Sequence, residues 1–352
     1  MIERNTLLFK DTVEMIGSTK AMTYLGLSRH TFEKMVNKGY IIKNEINGKT
    51  CYSLDDLDAF KETSEYADAK NGIVDKRNNL NDLTGKEWIP ETKSYFFQKG
   101  LGADHPDAQI EKLHPAPYSY QDIEKLILFF TKKGMTVLDP FGGIGSTAKA
   151  CEVSGRKCIS IELQSKYHEL SIKRLELEVG KGTSEHHKFV NADSCEYLKT
   201  IENQSIDFVV TSPPYWGILN KLDQKVKKNR VANNLDTKYS EDGNDLGNIE
   251  DYQNFLKVLV ENIFLECGRV LKLGKYMAIV VSDFRDKDKY VSFHSDIIHK
   301  LNEITTSDGG KILLQGTKIL IQNHKSLLPY GYPFSYVENI HHQYVLIFKK
   351  GK

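Results

Sequence analysis

A proline-containing segment near the middle of the chain carries the residue types best suited to chemistry. Residues 211–216 read Thr-Ser-Pro-Pro-Tyr-Trp and follow an apolar run that predicts a buried strand. The Ser212 hydroxyl and the Pro213 carbonyl can accept hydrogen bonds from an amine whose lone pair is delocalised into a ring, and proline fixes the backbone direction. Tyr215 can stack on a planar ring, whereas Trp216 either adds a second apolar wall or packs in the core.

A glycine-rich segment could hold a ligand. Residues 139–147 read Asp-Pro-Phe-Gly-Gly-Ile-Gly-Ser-Thr and begin where a predicted strand ends. Glycines let the backbone approach a ligand closely, and ligands of open parallel sheets lie beyond the carboxyl ends of the strands. Glu162 ends the next predicted strand, where a carboxylate commonly binds ribose hydroxyls. Asp139 at the first strand end suits a ligand with an ammonium group better than one with phosphates.

These segments resemble the motifs of the DNA methylase N-4/N-6 family, whose members transfer a methyl group from S-adenosylmethionine to the exocyclic amine of a base. The run at 114–117, His-Pro-Ala-Pro, also fits the cofactor-binding block of that family, and the resemblance spans residues 84–350. The resemblance implies double-stranded DNA as the partner and a target base that is flipped out of the duplex into the pocket. It also implies a setting such as a restriction–modification system, with a cognate endonuclease, or a phage or other mobile element.

The resemblance assigns two sets of site residues. The catalytic residues are Ser212, Pro213, Pro214 and Tyr215. The cofactor-binding residues are Asp139, Pro140, Phe141, Gly143, Gly145, Ser146, Thr147, Glu162 and Asp193. Asp193 stands where family members usually hold the cofactor adenine. We expect no metal, because the pair His341-His342 has no evident third ligand and the family needs none.

The target base is left open between cytosine-N4 and adenine-N6. Ser212 slightly favours cytosine, because cytosine enzymes of the family more often carry Ser at this position and adenine enzymes Asp or Asn. A Trp216 beside Tyr215 would also narrow the pocket toward a pyrimidine. The chain departs from a common arrangement of the family, because its cofactor block precedes the catalytic loop and no long target-recognition domain is visible.

The first sixty residues predict a small helical unit. A short helix at 21–25, a Gly-Leu-Ser turn, a helix at 29–37, an Asn-Gly hairpin turn and a further helix through Phe60 follow one another. This order resembles the winged helix-turn-helix of excisionase and MerR-type DNA-binding domains. The resemblance implies DNA contacts by Arg29 and Lys34, whereas the alternative is an accessory domain that packs on the rest of the chain.

Three regions follow from these patterns: a winged helix-turn-helix at 1–62, a polar linker at 63–83 and a methyltransferase domain at 84–352. Strands are predicted at 136–139, 157–162, 188–191, 206–211 and 276–282, with late strands near 317–322 and 342–348. Helices are predicted at 119–131, 147–154, 165–178, 249–270 and 294–304. The alternation predicts an α/β fold with a doubly wound, mostly parallel, Rossmann-like sheet, whose last strands pair as an antiparallel edge hairpin.

The polar segment at 217–248 follows the catalytic loop directly. Its basic residues include Lys225, Lys227, Lys228 and Arg230. Such a run is usually a solvated face, but beside the catalytic loop it is well placed to contact DNA phosphates. We therefore expect residues 217–248 to form a DNA-contacting loop.

The composition is ordinary for a soluble globular protein. A net charge of +1 means that basic residues for DNA contact must be concentrated locally. Five scattered cysteines without a CxxC pair argue against a disulfide framework or a zinc site and favour a cytoplasmic location. The sequence shows neither the apolar stretch of a signal peptide nor a run long enough to span a bilayer.

Two other functions compete with DNA methylation. A similar loop could methylate RNA or a protein amide, since planar amides and amines need the same acceptors. Alternatively, the chain could be a DNA-binding regulator with an inactive methyltransferase domain. The winged-helix pattern favours duplex DNA, and the intact Asp139, Gly143, Ser212 and Tyr215 argue against an inactive domain.

Overall fold

The computed structural model describes residues 14–98, 110, 113–114, 118–217, 242–323, 325 and 327–352. Its contacts divide the chain into two units. The N-terminal unit comprises residues 1–78 and 83–90, and the sheet unit comprises residues 79–82 and 91–352. The stretch expected to be a linker, 63–83, contains a helix at Ser64–Asn71, so most of it belongs to the N-terminal unit.

From residue 14 onward, the N-terminal unit combines a small antiparallel sheet with five helices. Its elements are β1 (Met15–Gly17), α1 (Ser18–Leu25), α2 (Arg29–Asn37), β2 (Asn44–Ile46), β3 (Lys49–Ser53), α3 (Leu54–Lys61), α4 (Ser64–Asn71) and α5 (Gly85–Glu91). The three strands pair in the order β1-β3-β2. Phe32, Leu57 and Phe60 are among the side chains buried between these elements.

Local signals in the sequence explain how these helices and the hairpin begin and end. Gly26 ends α1 in the left-handed conformation with φ of 63°, which a residue without Cβ adopts at little cost. The Ser28 hydroxyl accepts a hydrogen bond from the Thr31 amide and begins α2. Asn47 and Gly48, both with positive φ, form the hairpin turn. The order of elements matches the predicted one, and its role as a DNA-binding winged helix stays a prediction.

The sheet unit contains an eight-stranded sheet. Its strands are β4 (Tyr95–Phe97), β5 (Thr136–Asp139), β6 (Lys157–Glu162), β7 (Lys188–Asn191), β8 (Ile206–Thr211), β9 (Leu271–Val281), β12 (Lys311–Ile321) and β13 (His342–Gly351), and a separate hairpin joins β10 (Phe284–Asp286) to β11 (Lys289–Val291). Its helices are α6 (Tyr120–Phe130), α7 (Ser146–Ser154), α8 (Ser165–Glu178), α9 (Ser194–Tyr197), α10 (Tyr252–Val258), α11 (Leu265–Val270) and α12 (Phe293–Asn302). A π-helical segment, Leu259–Phe264, joins α10 to α11.

The strands lie in the order β4-β12-β13-β9-β8-β5-β6-β7. Neighbours from β9 to β7 are parallel, and β13 is inserted antiparallel between β9 and β12. The mostly parallel sheet predicted from the sequence is therefore confirmed. The chain runs outward through β6 and β7 on one side of β5 and through β8 and β9 on the other, so β5 and β8 flank the topological switch point.

Two hydrophobic clusters cover the two faces of this sheet. One includes Val137, Phe208 and Ile127 of α6, and the other includes Val209, Ile279 and Phe264 of the π-helical segment. Since both faces are covered, strand β8 is buried along its whole length. Within the described part of the chain, no helix has the length and apolar character needed to cross a membrane.

The structure differs from the sequence-based expectations at the sheet edge and in the late helix. The last two strands do pair antiparallel, but β4 lies outside them, so they do not form the edge. The helix expected at 249–270 is instead three segments with a π-helical middle. Strand β9 begins at Leu271, five residues before the expected start at 276.

Candidate functional site

A cavity of the sheet unit opens at the carboxyl ends of the parallel strands, at the switch point. It has a volume of about 380 Å³. Residues at or just after the ends of four neighbouring strands line it: Pro140, Phe141 and Gly143 after β5, 162–164 at the end of β6, 193–195 after β7 and 212–215 after β8. The glycine-rich block and the proline-containing loop, which lie far apart in the sequence, therefore share one cavity.

All four predicted catalytic residues line this cavity, namely Ser212, Pro213, Pro214 and Tyr215. The Tyr215 hydroxyl accepts a hydrogen bond from Gln343 Nε2 at 3.0 Å, and its ring packs edge-on against Phe293 at 6.2 Å between centroids. Burial raises the pKa of the Tyr215 hydroxyl, so this side chain stays neutral. The ring is therefore held on two sides with its hydroxyl fixed.

Trp216 packs in the core and is not among the residues that line the cavity. Its ring contacts Tyr252 and Phe284, and its Nε1 donates a hydrogen bond to the Ile249 carbonyl at 2.8 Å. Of the two roles open for Trp216, the structure shows core packing. The argument that Trp216 narrows the pocket toward a pyrimidine therefore loses its basis.

Asp139 is fully buried, and its carboxylate faces the protein interior. Oδ1 accepts hydrogen bonds from the Phe141 amide at 3.0 Å and from the Thr211 hydroxyl at 2.6 Å. Oδ2 accepts from the hydroxyls of Tyr118 and Thr147, each at 2.5 Å. Burial raises the pKa of Asp139, although these donors oppose the rise. The structure thus places Asp139 behind the cavity wall, where it joins the glycine-rich turn to strand β8.

Three further predicted cofactor-binding residues, Gly145, Ser146 and Thr147, also lie outside the cavity lining. Gly145 precedes α7 with φ of 77°, and a Cβ there would lie 2.9 Å from the Ser171 side chain. The Ser146 hydroxyl accepts a hydrogen bond from Arg174 Nη1 at 3.0 Å. These residues hold α7 against its neighbours. At Gly145 the backbone approaches Ser171 so closely that only glycine fits.

The remaining predicted cofactor residues do line the cavity: Pro140, Phe141, Gly143, Glu162 and Asp193. The Glu162 carboxylate accepts a hydrogen bond from the Gly143 amide and another from the Gln164 amide, both at 2.8 Å. Burial, the largest cause, raises the pKa of Glu162 to about 7. Asp193 begins α9 by accepting a hydrogen bond from the Cys195 amide at 2.8 Å.

Residues from late in the chain complete the cavity, and sequence reasoning did not find them. Gln322 and Lys325 follow β12, Gln343 lies in β13, and all three line the cavity, where Gln343 contacts Tyr215. Gln322 Nε2 donates to Gln343 Oε1 at 3.4 Å, so the two carboxamides are linked. No motif marks these residues, because their position depends on the insertion of β13 beside β9.

Two of the predicted DNA-binding residues lie in the described part of the chain, in the N-terminal unit. Arg29 and Lys34 lie on helix α2, where the Arg29 side chain is 82% exposed and forms an ion pair with Glu33. Lys225, Lys227, Lys228 and Arg230 lie outside the described residues. Within the described ranges, no group of three or more His, Cys, Asp or Glu side chains could hold a metal ion.

Comparison with known proteins gives a family match and several partial relatives. A type II methyltransferase of Streptococcus pneumoniae, M2.DpnII, is 38% identical over 65 residues, which are 18% of this chain and 24% of that protein. The DNA adenine methyltransferase YhdJ of Escherichia coli K12 is 36% identical over 64 residues, or 18% and 22% of the two chains. M.BglI of Bacillus subtilis is 43% identical over 104 residues, or 30% and 27%. The matched segment thus spans about a quarter of each relative.

The solved structures resemble this chain only in part. The S-adenosyl-L-methionine complex of TTHA0409 from Thermus thermophilus is 26% identical over 46% of this chain and 54% of that chain, with a TM-score of 0.30. The family match is to a DNA methylase model and covers residues 29–173, which include the glycine-rich block and end before the catalytic loop. Over those residues, this chain is similar to the DNA methylases of the N6_N4_Mtase family.

Proposed function

We propose that this protein is an S-adenosylmethionine-dependent DNA methyltransferase that modifies the exocyclic amine of a base. The observation that supports this most strongly is that Ser212–Tyr215 and Glu162 line one cavity at the switch point. A donor site and an acceptor loop that share one cavity are what group transfer between two bound molecules requires. The family match over residues 29–173 supports the same function.

The residues present fit S-adenosylmethionine. A volume of about 380 Å³ lies within the range of small-ligand sites. Each oxygen of Glu162 accepts one backbone amide, so each retains a lone pair for a ribose hydroxyl. A Cβ on Gly143 would lie 3.4 Å from His114 Nε2, so the absence of a side chain keeps this wall open. When bound, S-adenosylmethionine supplies an electrophilic methyl group.

The catalytic loop prepares the amine. The Ser212 hydroxyl oxygen and the Pro213 carbonyl accept hydrogen bonds from the two N–H groups, which draws the nitrogen lone pair out of conjugation with the ring. Tyr215, held by Gln343 and Phe293, stacks on the flipped base. The amine nitrogen would form its bond to the methyl carbon as the carbon–sulfur bond of the sulfonium breaks, which leaves a neutral thioether, and the amine would lose one proton to water.

The first test is a methyl-transfer assay with labelled S-adenosylmethionine and mixed duplex DNA, RNA or protein as acceptors. We expect label in DNA. Tyr215→Ala should bind the cofactor with unchanged affinity and transfer methyl groups about 5- to 100-fold more slowly, because the base loses its stacking partner. Transfer to RNA or protein alone would replace the DNA assignment, and no transfer to any acceptor would favour a DNA-binding regulator.

We infer cytosine-N4 as the target, with adenine-N6 as the alternative, and the preference now rests on Ser212 alone. The serine hydroxyl both accepts and donates, whereas an aspartate at this position would only accept. Mass spectrometry of nucleosides from methylated DNA decides between the products. N6-methyladenine as the sole product would reverse this choice and keep the enzyme class.

We also propose that the N-terminal unit binds duplex DNA as a winged helix-turn-helix. The exposed positions of Arg29 and Lys34 on α2 support this, since basic side chains on such a helix contact bases and phosphates. The double variant Arg29→Glu, Lys34→Glu should lower DNA affinity while leaving cofactor affinity unchanged. Equal DNA affinity in the variant and wild type would leave the N-terminal unit with another role.

A further inference from the structure

Four aromatic side chains project from the connection between the last two strands of the sheet. Tyr330, Tyr332, Phe334 and Tyr336 are 53%, 79%, 94% and 83% exposed, respectively. We call residues 327–340 the aromatic loop. Single exposed apolar side chains are ordinary, whereas several large ones within one loop mark a surface that binds another molecule.

The aromatic loop is held in shape by its own hydrogen bonds. The Asn339 carboxamide accepts from the Leu328 amide at 2.9 Å and donates to the Leu328 carbonyl at 2.8 Å. The Gly331 carbonyl accepts from the amides of Phe334 and Ser335, both at 2.7 Å. A Cβ on Gly331 would collide with the Ser335 carbonyl oxygen, so this closed turn requires glycine. The rings are therefore carried on a preformed backbone, which reduces the entropic cost of binding.

The aromatic loop connects two strands at the end of the sheet where the cavity opens. Strand β12 ends at Ile321, and the residues that follow it, Gln322 and Lys325, line the cavity. On the other side of the loop, Gln343 lines the cavity and donates to the Tyr215 hydroxyl. The chain thus enters and leaves the aromatic loop beside residues that line the cavity, which places the ends of the loop next to the cavity.

The structure assigns the aromatic loop to the bases of duplex DNA next to the base that enters the cavity, an inference that rests on the proposed function. A base drawn out of a duplex leaves the faces of its neighbours uncovered, and inserted aromatic or apolar side chains fill such gaps. Aromatic rings stack on any base, so this contact adds affinity without reading sequence.

The composition of the aromatic loop favours DNA over an apolar partner. Three of its four exposed rings are tyrosines. Burial against a lipid or an apolar protein surface would leave their hydroxyls without hydrogen-bond partners, which is costly. Against DNA, the ring faces stack on bases while the hydroxyls contact water, sugars or phosphates.

Full-length variants test this assignment. Tyr332→Ala and Phe334→Ala should each weaken binding to a duplex that the wild type methylates about 5- to 100-fold, the range expected for a lost stacking contact. The dependence of affinity on salt should not change, because no charge is removed. Phe334→Trp should retain affinity, since indole also stacks. Leu177→Ala is the control, because Leu177 is 67% exposed at the far end of α8.

Cofactor affinity, measured by calorimetry on the same variants, should equal that of the wild type. Wild-type DNA affinity in both alanine variants, in a protein that methylates DNA, would overturn the assignment and leave the proposed function standing. A wild type that neither binds nor methylates DNA would overturn both. Self-association of the wild type that Phe334→Ala abolishes, with DNA affinity unchanged, would assign the aromatic loop to a second copy of this chain.

Discussion

At the scale of single residues, the buried carboxyl of Glu162 changes its charge near neutral pH and so makes the cavity sensitive to pH. Burial raises the pKa of its carboxyl to about 7, from an ordinary value of 4.5. The ionised form, which accepts ribose hydroxyls best, therefore predominates only above neutral pH. The same shift means that the free protein loses stability as pH rises from 4.5 through 7, because the buried carboxyl must then carry its charge.

We therefore expect cofactor affinity to increase about tenfold between about pH 6 and pH 8, with about one proton released on binding near pH 6 and almost none near pH 8. Calorimetry in buffers of different ionisation enthalpy measures both quantities. Glu162→Gln should bind more weakly and lose this pH dependence, because a carboxamide does not titrate. A wild-type affinity that is constant across this range would exclude Glu162 from the cofactor contacts.

For Asp139 we predict an effect on the stability of the fold. The two oxygens of Asp139 accept four hydrogen bonds inside the protein. In Asp139→Asn, the new amide N–H groups would face hydrogen-bond donors where the carboxylate oxygen accepted them. We expect a loss of about 2–4 kcal/mol in the free energy of unfolding, measured by urea denaturation. An unchanged stability combined with a loss of cofactor affinity would instead support the direct ammonium contact that the sequence suggested.

Elements of secondary structure were the part of the fold that the sequence predicted best. Strands β5 to β8 and helix α8 have the predicted bounds, because apolar runs ended by glycines and capping residues mark them clearly. Strand β4 and the β10–β11 hairpin were missed, since three-residue strands carry almost no periodic signal.

The candidate site was predictable only in part, because a sequence motif does not show how side chains are oriented or which distant strands pair. A motif shows which residues lie at a strand end, but it does not show which way each side chain points. Asp139 and Glu162 both end strands, yet Asp139 faces inward and Glu162 lines the cavity. Gln343 was missed because its contact with Tyr215 depends on pairing between distant strands.

At the scale of secondary-structure elements, the glycine turn before α7 gives a prediction about stability. Gly145 and Gly134 have similar φ values, 77° and 78°, but only Gly145 has close neighbours. Gly134→Ala should cost about 1 kcal/mol of stability from backbone strain. Gly145→Ala should cost about 2 kcal/mol more, because its Cβ meets Ser171 and shifts α7.

Thermal unfolding of these two variants, compared with the wild type, measures the difference. Because α7 follows the turn that contributes Gly143 to the cavity, Gly145→Ala should also weaken cofactor binding. Equal losses of stability in the two variants would show that the Ser171 contact relaxes freely and does not fix α7.

At the scale of the whole molecule, charge must act locally, because the chain carries a net charge of only +1. We expect the triple variant Lys225→Glu, Lys227→Glu, Lys228→Glu to lower affinity for all DNA sequences and to flatten its salt dependence. Fluorescence anisotropy at several salt concentrations measures both effects. An unaltered salt slope would show that these lysines do not contact phosphates.

The position of β13 also bears on how the protein is made. This strand lies between β9 and β12, which precede it in the chain. While a ribosome is still adding residues before His342, β9 and β12 each have an unpaired edge, and open edges invite pairing with other chains. We therefore expect the nascent protein to aggregate most readily before residues 342–351 have emerged, and the same segment brings Gln343 to Tyr215.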